Sequence, residues 1–405
     1  MTGPTVPGQG ASGDQGGATR RIDVDRSPAG RRPSPVRRST QRLAFLQVPT
    51  RAPATEGVHV RIGIQASYSG GFQETAAEIR DLEAAGLDVA AVAEVYTFDA
   101  VSQLGYLAAV TERVELLSAI FPIYSRTPAL TAMTAAGLDF VSGGRFTMGL
   151  GASGPQVIEG WHGVPYDAPL QRTREIVEIC RQVWRRDRLD HQGKKYTVPL
   201  PADQGTGLGK PLKLINTPVR ERIPVMLAAL GPKNVELAAE IAEAWEPIFF
   251  VPEKAASVWG DALAAGKAKR DPALGELQVV TGVPVAIGDD VEELVEFVRP
   301  ALALYIGGMG ARGKNFYNDL AVRYGYEAEA KTIQDLYLDG KKDEAAAAVP
   351  LELVKASSLI GPESYVAERL AAFAEAGVST LMLQPLDGTR EGRLKTVETM
   401  KRLGG

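Results

Sequence analysis

The sequence is poor in the residues that cross-link chains or hold metals. Its 405 residues contain one cysteine, Cys180, so no internal disulfide can form. With only three histidines beside it, no metal-ligand spacing is present. Cys180 lies on the apolar side of the helical pattern "REIVEICRQVW" and reads as a buried, inert thiol rather than a nucleophile. No run of about 18 apolar residues exists, which excludes a helical membrane span. A net charge of −4 argues against the basic footprint of a nucleic-acid binder.

Charge is spread unevenly. Residues 1–57 hold nine arginines against four acids, with eight glycines and seven prolines. Only "LAFLQV" among them is apolar, too short for the apolar part of a signal peptide. Such a segment cannot bury enough surface to offset its ordering entropy. A disordered tail over 1–57 is therefore expected ahead of one domain over 58–405. Arg37 and Arg38 before "LAFLQV" weakly match a twin-arginine export pattern, but Pro49, Arg51 and Pro53 interrupt what should be a longer apolar run. Translation beginning near Val58 is the alternative account of the tail. The expected compartment is the cytoplasm.

From His59 onward, short apolar runs alternate with amphipathic ones. "VRIGIQA", "LDVAAVAE", "VELLSAIFPI" and "RFTMGLGAS" read as strands. Helices such as "ETAAEIRDLEAAG", stopped at Gly86, lie between them. Residues 188–223 read as irregular, with a hairpin at "GKKYTV". The alternation resumes with the strands "IPVMLAAL", "WEPIFFV", "LQVVTGVPVAI" and "VSTLMLQPL". "DDVEELVEFVRPALALYIGG" reads as one helix and 308–362 as a helical insertion. Eight strands, apolar on both faces, favour a closed (β/α)8 TIM barrel with an insertion near its C-terminal end. An open sheet split into two domains is the structural alternative, but no linker-like break follows residue 57.

Barrel active sites lie at the C-terminal ends of the strands. Glu94 follows the second strand. Ser118, Ala119 and Ile120 follow the third. Ala152, Ser153 and Gly154, then Trp161 and His162, follow the fourth. "AALGPKN", residues 228–234, follows the fifth: small residues, then Gly231-Pro232 opening a helix whose free N–H groups make an anion site. An ordinary tight turn is the bland reading of that stretch. Gly149, Gly151 and Gly154 spell G-x-G-x-x-G, the spacing of a dinucleotide-binding turn. It comes at the fourth strand and opens no clear long helix, so it reads instead as a strand end. There Gly149 and Gly151 serve close packing and Gly154 lines a pocket. Glu94 reads equally as a site residue or a structural hydrogen-bond acceptor, and His162 as a site residue or a packed loop histidine. Tyr68 and Phe72 read as lid or packing residues, His191 as a surface hairpin residue, and Arg312, Lys314 and Asn315 as a solvated loop.

Four stretches, "AAVAEVYTFDA", "RTPALTAMTAAGLDFVSGGRFTMGLGASGPQVIEGWHGVPY", "AALGPKNVELAAEIAEAW" and "GGMGARGKNFYNDLAVRYGY", together resemble the luciferase-like monooxygenase superfamily. More narrowly, they resemble its actinobacterial oxidoreductases that use coenzyme F420, a deazaflavin. The resemblance runs from about residue 60 to 403. It implies a TIM barrel whose mouth holds the tricyclic ring, with a non-prolyl cis peptide after strand 3 at Ser118–Ala119. It implies a phosphate site at Ala228, Ala229, Leu230 and Gly231, with Ala152 to Gly154 bordering the ring or its tail. Relatives acting on alcohols or sugar phosphates often carry an Asp-His pair after strand 2; here the pair is Glu94-Val95.

The resulting expectation is an enzyme that passes hydride between F420 and a small organic substrate, with Ile120, Tyr124, Trp161 and Tyr96 keeping water out. Glu94 is the first choice for moving a proton, because a strand end is a rigid platform, and His162 the second. An FMN-dependent monooxygenase and a non-catalytic F420 or flavin carrier are the alternatives. A homodimer is expected by analogy alone.

Overall fold

The computed structural model describes residues 60–67 and 70–404. The tail expected over 1–57, and Tyr68, lie outside the described residues. Eight parallel strands close a ring: β1 (Arg61–Gln65), β2 (Val89–Val92), β3 (Glu115–Ser118), β4 (Phe146–Gly151), β5 (Val225–Ala228), β6 (Ala244–Glu246), β7 (Gln278–Ile287) and β8 (Thr380–Pro385). Each pairs with the next, and β8 returns to β1. This is the expected TIM barrel.

The strand sequences are apolar throughout because both faces are buried. Val89 and Ala91, Leu117, Met226, Ala244, Val280 and Met382 form one buried cluster inside the ring. Alternate residues such as Ala90, Val92, Leu116 and Trp245 join the larger cluster between strands and helices. The period of two along a strand produces this division. A side chain two residues beyond a luminal one is therefore luminal as well.

The helices begin where their caps dictate. Thr127 and Pro128 open α3 (Pro128–Val141), with the Thr127 hydroxyl accepting from the Leu130 N–H. Asp99 caps α2 (Ala100–Val110) by accepting from the Ser102 N–H at 2.8 Å. That bond, first among its causes, holds the Asp99 carboxyl below the usual range. No helix among the described residues is long and apolar enough to cross a membrane.

Four expectations need correction. "WEPIFFV" yields only the three-residue β6, because Pro247 has no N–H to continue the ladder. "DDVEELVEFVRPALALYIGG" is not one helix. It runs as a 3-10 segment (Glu292–Phe297), a short α-helix (Arg299–Ala303) and a π turn (Leu304–Gly308), broken where Pro300 removes a donor. His191 is buried, with Nε2 3.5 Å from the Glu175 carboxylate, because its hairpin folds back on the helix Pro169–Trp184. Asn315 is buried too, bonding the carbonyls of Tyr305 and Ile306. Cys180 is buried as expected, and burial pushes its thiol pKa up.

The N-terminal end of the barrel is closed by salt-bridged polar groups. Arg61 pairs with Glu115 at 2.7 Å, Glu115 also accepts from Thr147, and Arg145 donates to the carbonyls of Ala108, Thr111 and Val114. Ser118 and Gly149 tie β3 to β4: the serine hydroxyl donates to the Gly149 carbonyl at 3.0 Å and accepts from its N–H at 2.8 Å. A Cβ on Gly149 would overlap the Ser118 carbonyl oxygen. Gly149→Ala should therefore cost about 1–3 kcal/mol in urea unfolding, as overpacking does. Gly105→Ala, on α2 with no atom near the new methyl, should be neutral or stabilising by about 0.5–1 kcal/mol. Equal effects of the two would refute this account of the β3–β4 contact.

Candidate active site

The C-terminal end of the ring is built from small side chains. A non-prolyl cis peptide joins Ala119 to Ile120. This corrects the expected Ser118–Ala119 bond by one residue. Ser118 still pairs in register with Val92, and the Ala119 N–H still donates to the Val92 carbonyl, so the chain leaves the ladder only after Ala119. Ala119 and Ile120 both pack on the luminal cluster. Ser118 is fully buried, its hydroxyl committed to Gly149 and turned from the mouth. Beside Ile120 lies Gly151, where a Cβ would stand 2.5 Å from Ile120 Cδ1 and 3.5 Å from Ala228 Cβ. Ile120, Gly151 and Ala228 therefore form one contiguous floor.

Two neighbouring turns present unpaired backbone donors above this floor. After β5 the chain runs Ala229, Leu230 and Gly231 into α6 (Pro232–Ile241). The carbonyls here are bonded on the helix side. Trp245 Nε1 donates to Ala229 at 2.9 Å, and Trp259 Nε1 and Arg323 Nη2 donate to Leu230 at 3.2 Å each. The Ala229 N–H donates to the Glu246 carbonyl. The N–H groups of Leu230, Gly231 and Lys233 have no acceptor among the described residues, and no side chain caps α6. After β4, Ala152, Ser153 and Gly154 lead into α4 (Pro155–Gly160), and their N–H groups likewise have no acceptor there. Ser153 adopts φ 58°, a left-handed conformation uncommon outside glycine and frequent at ligand clamps. Unpaired N–H groups at helix starts are an arrangement for an anion.

The proton-moving candidates sit differently. The Glu94 carboxylate accepts from both terminal nitrogens of Arg126, at 2.6 and 2.7 Å, and from the Ala100 N–H at 3.0 Å. Arg126 also lies over the Phe121 ring, 4.4 Å from its centroid. Arg126 was absent from the sequence expectations because its partner is 32 residues away. His162 is half-buried in the loop after α4, and its Nε2 is shielded from water with no hydrogen-bond partner among the described residues. Such an orphan needs a partner from elsewhere.

Aromatic rings surround the opening. Tyr96 and Trp161 are mostly exposed, with centroids 6.3 Å apart. Tyr124 is buried, donates to the Asp167 carbonyl at 2.9 Å and packs on Tyr166. Phe249 follows β6 and meets Tyr305 and Tyr317, the latter from the insertion helix Phe316–Arg323. Burial pushes the Tyr317 phenol up to about 12. Phe72 packs edge-on against Tyr106 and is not in this group.

Sequence reasoning also missed Glu246, the last residue of β6. It lies two residues beyond luminal Ala244 and in register with Ala228. Its signal was an acid immediately before Pro247 at a strand end. Among these groups the Glu94–Arg126 pair is the most heavily bonded. Arg126→Ala should leave a shielded carboxylate without its cation and cost on the order of 3 kcal/mol in denaturant unfolding. A loss below about 1 kcal/mol would mean that the pair behaves as an exposed one.

The model of the family described as luciferase-like monooxygenase matches residues 57–380. A Mycobacterium tuberculosis protein, provisionally named coenzyme F420-dependent oxidoreductase, is 40% identical over 329 residues, 80% of this chain and 94% of that protein. The 5,10-methylenetetrahydromethanopterin reductase of Archaeoglobus fulgidus is 26% identical over 292 residues, 69% of this chain and 80% of the reductase. Among solved structures, the coenzyme F420 dependent tetrahydromethanopterin reductase from Methanopyrus kandleri superposes with a TM-score of 0.69. It is 20% identical, and the match covers 85% of this chain and 98% of that one.

Proposed function

This chain belongs to the luciferase-like monooxygenase family, and from that premise we propose that it is an oxidoreductase that binds coenzyme F420 in the barrel mouth and exchanges hydride between it and a small organic substrate. The observation that carries the reading is the β5 turn. Three unpaired N–H groups at the start of α6 stand over a floor of Ile120, Gly151 and Ala228. The donor set fits a phosphate-bearing ligand, and the small side chains leave room for a flat ring. When bound, the deazaflavin supplies the two-electron chemistry. FMN also combines a phosphate with a flat ring; the name of the Mycobacterium tuberculosis relative favours F420.

The protein's own part is to bind, orient and dry. Leu230, Gly231 and Lys233 hold the phosphate through backbone N–H groups. Their geometry is fixed because Trp245, Trp259 and Arg323 grip the carbonyls on the other side. The Ala119–Ile120 peptide and Gly151 meet the ring from below. Tyr96, Trp161 and Tyr124 limit water. His162 is the better candidate for holding a proton near the substrate, since its Nε2 is unpartnered. Glu94 positions the start of α2 through Ala100 and Arg126.

Fluorescence titration of the purified chain should show tighter binding of F420 than of FMN. The reverse order would sink the F420 reading and favour the FMN alternative. Ala228→Glu should weaken F420 binding at least about tenfold, near 1.4 kcal/mol, with unchanged circular dichroism. Unchanged affinity would remove the phosphate from this turn. Bound F420 that stays redox-silent across a broad substrate panel would make the chain a carrier.

A further inference from the structure

Glu246 is a carboxyl group in an unusual place. Strand alternation turns it into the lumen, since Ala244 two residues earlier is luminal and Trp245 between them packs outward on Trp259. Pro247 ends β6 at once, so Glu246 occupies the uppermost luminal position of its strand. It stands in register with Ala228, beside the floor that also includes Gly151 and Ile120.

The groups facing it cannot pair with a charge. On β5 the luminal residues are Met226 and Ala228, and on β7 they are Val280 and Gly282. Across the lumen stand Ala91, Leu117, Ala119, Ile120 and Met382. Alternation adds Gln65 on β1 and Gln384 on β8, and Gln65 has a partner of its own. None of these is ionisable. Arg126, a cation at this end of the barrel, already serves both oxygens of Glu94. The Glu246 carboxyl has no hydrogen bond or ion pair among the described residues, whereas the backbone carbonyl of the same residue accepts from Ala229. Burial with no compensating cation pushes this carboxyl up from 4.5 to about 7. It remains partly open to solvent through the mouth, so it can exchange its proton.

We propose that the Glu246 carboxyl contacts the ligand in the barrel mouth and, in its protonated form, donates a hydrogen bond to it, so that ligand affinity falls when Glu246 ionises. This rests on the F420 reading only for the identity of the ligand. The protonation itself is a property of the empty protein. An acid with no acceptor of its own, placed at the floor of a site, is a donor to whatever covers it.

Two measurements on the full chain separate these points. The first is thermal unfolding of ligand-free wild type and Glu246→Gln from pH 4.5 to 8.5. A carboxyl raised in the folded state binds more protons folded than unfolded between 4.5 and 7, so wild-type stability falls as pH rises through that window. Glu246→Gln lacks this loss. Its melting temperature should rise relative to wild type from pH 4.5 to 7 and keep a constant lead above 7. Parallel curves with no widening gap would overturn the proposal. If the variant does not fold, the infrared carbonyl stretch of a protonated acid in wild type at pH 6 is the deciding signal, and its absence overturns the proposal.

The second is F420 affinity of both proteins over pH 5.5–8.5. The ratio of wild-type to variant dissociation constants should rise about tenfold as pH moves one unit above the Glu246 pKa. A flat ratio would refute the contact. A wild type that binds no F420 at any pH would sink the cofactor reading and the contact to F420, while the ligand-free curves still decide whether Glu246 holds its proton.

Discussion

Ring closure is the constraint on which the rest of this structure depends. Once β8 pairs with β1, no strand of the ring has a free edge, and the ring strands are buried on an inner and an outer face. Only the two ends of the barrel are left for polar groups. The N-terminal end is lined by Arg61, Glu115, Thr147 and Arg145, which satisfy one another and nearby carbonyls. The C-terminal end is left with Ala119, Gly151 and Ala228, which fill little space.

The turn after β5 is held by bonds from neighbouring elements. A helix start offers N–H groups in any βα unit. Here Trp245 from β6, Trp259 from the helix Pro252–Lys267 and Arg323 from the insertion each hold a carbonyl of Ala229 or Leu230. The insertion reaches these turns. Through Arg323, and through Tyr324, whose hydroxyl donates to the Phe249 carbonyl at 2.8 Å, it braces the turns after β5 and β6. Glu94 and Arg126 do the same for the start of α2. Rigid second-layer contacts of this kind hold a site's geometry in place.

Much of the fold was readable because it rests on local rules. Apolar runs without alternation announced strands buried on both faces, and Gly86 announced the end of the first helix. The turn at Ala228 to Gly231 was readable because Gly-Pro at a helix start has a definite backbone consequence. Errors came where a local pattern met a tertiary demand. Pro247 cut "WEPIFFV" to three residues, and Pro300 divided a periodic helix. His191 looked exposed in a polar hairpin, yet the hairpin folds onto Glu175. The cis bond was misplaced by one residue because the last ladder bond of β3, from Ala119 to Val92, depends on a neighbouring strand.

By itself, the sequence determined the eight-unit alternation, the burial of both faces of each strand, and the glycine–proline turn that opens the helix after β5. These follow from side-chain period, caps and glycine–proline chemistry, all of which act over a few residues. Only the tertiary structure decided what each polar side chain at the mouth does. The sequence offers Glu94 as a proton carrier; the tertiary structure adds that Arg126, 32 residues on, bonds both its oxygens. Glu246 drew no notice until the ring placed it beside Ala228 with no cation facing it. A carboxyl's role depends on the charges and water around it, and those neighbours come from strands far apart in the chain.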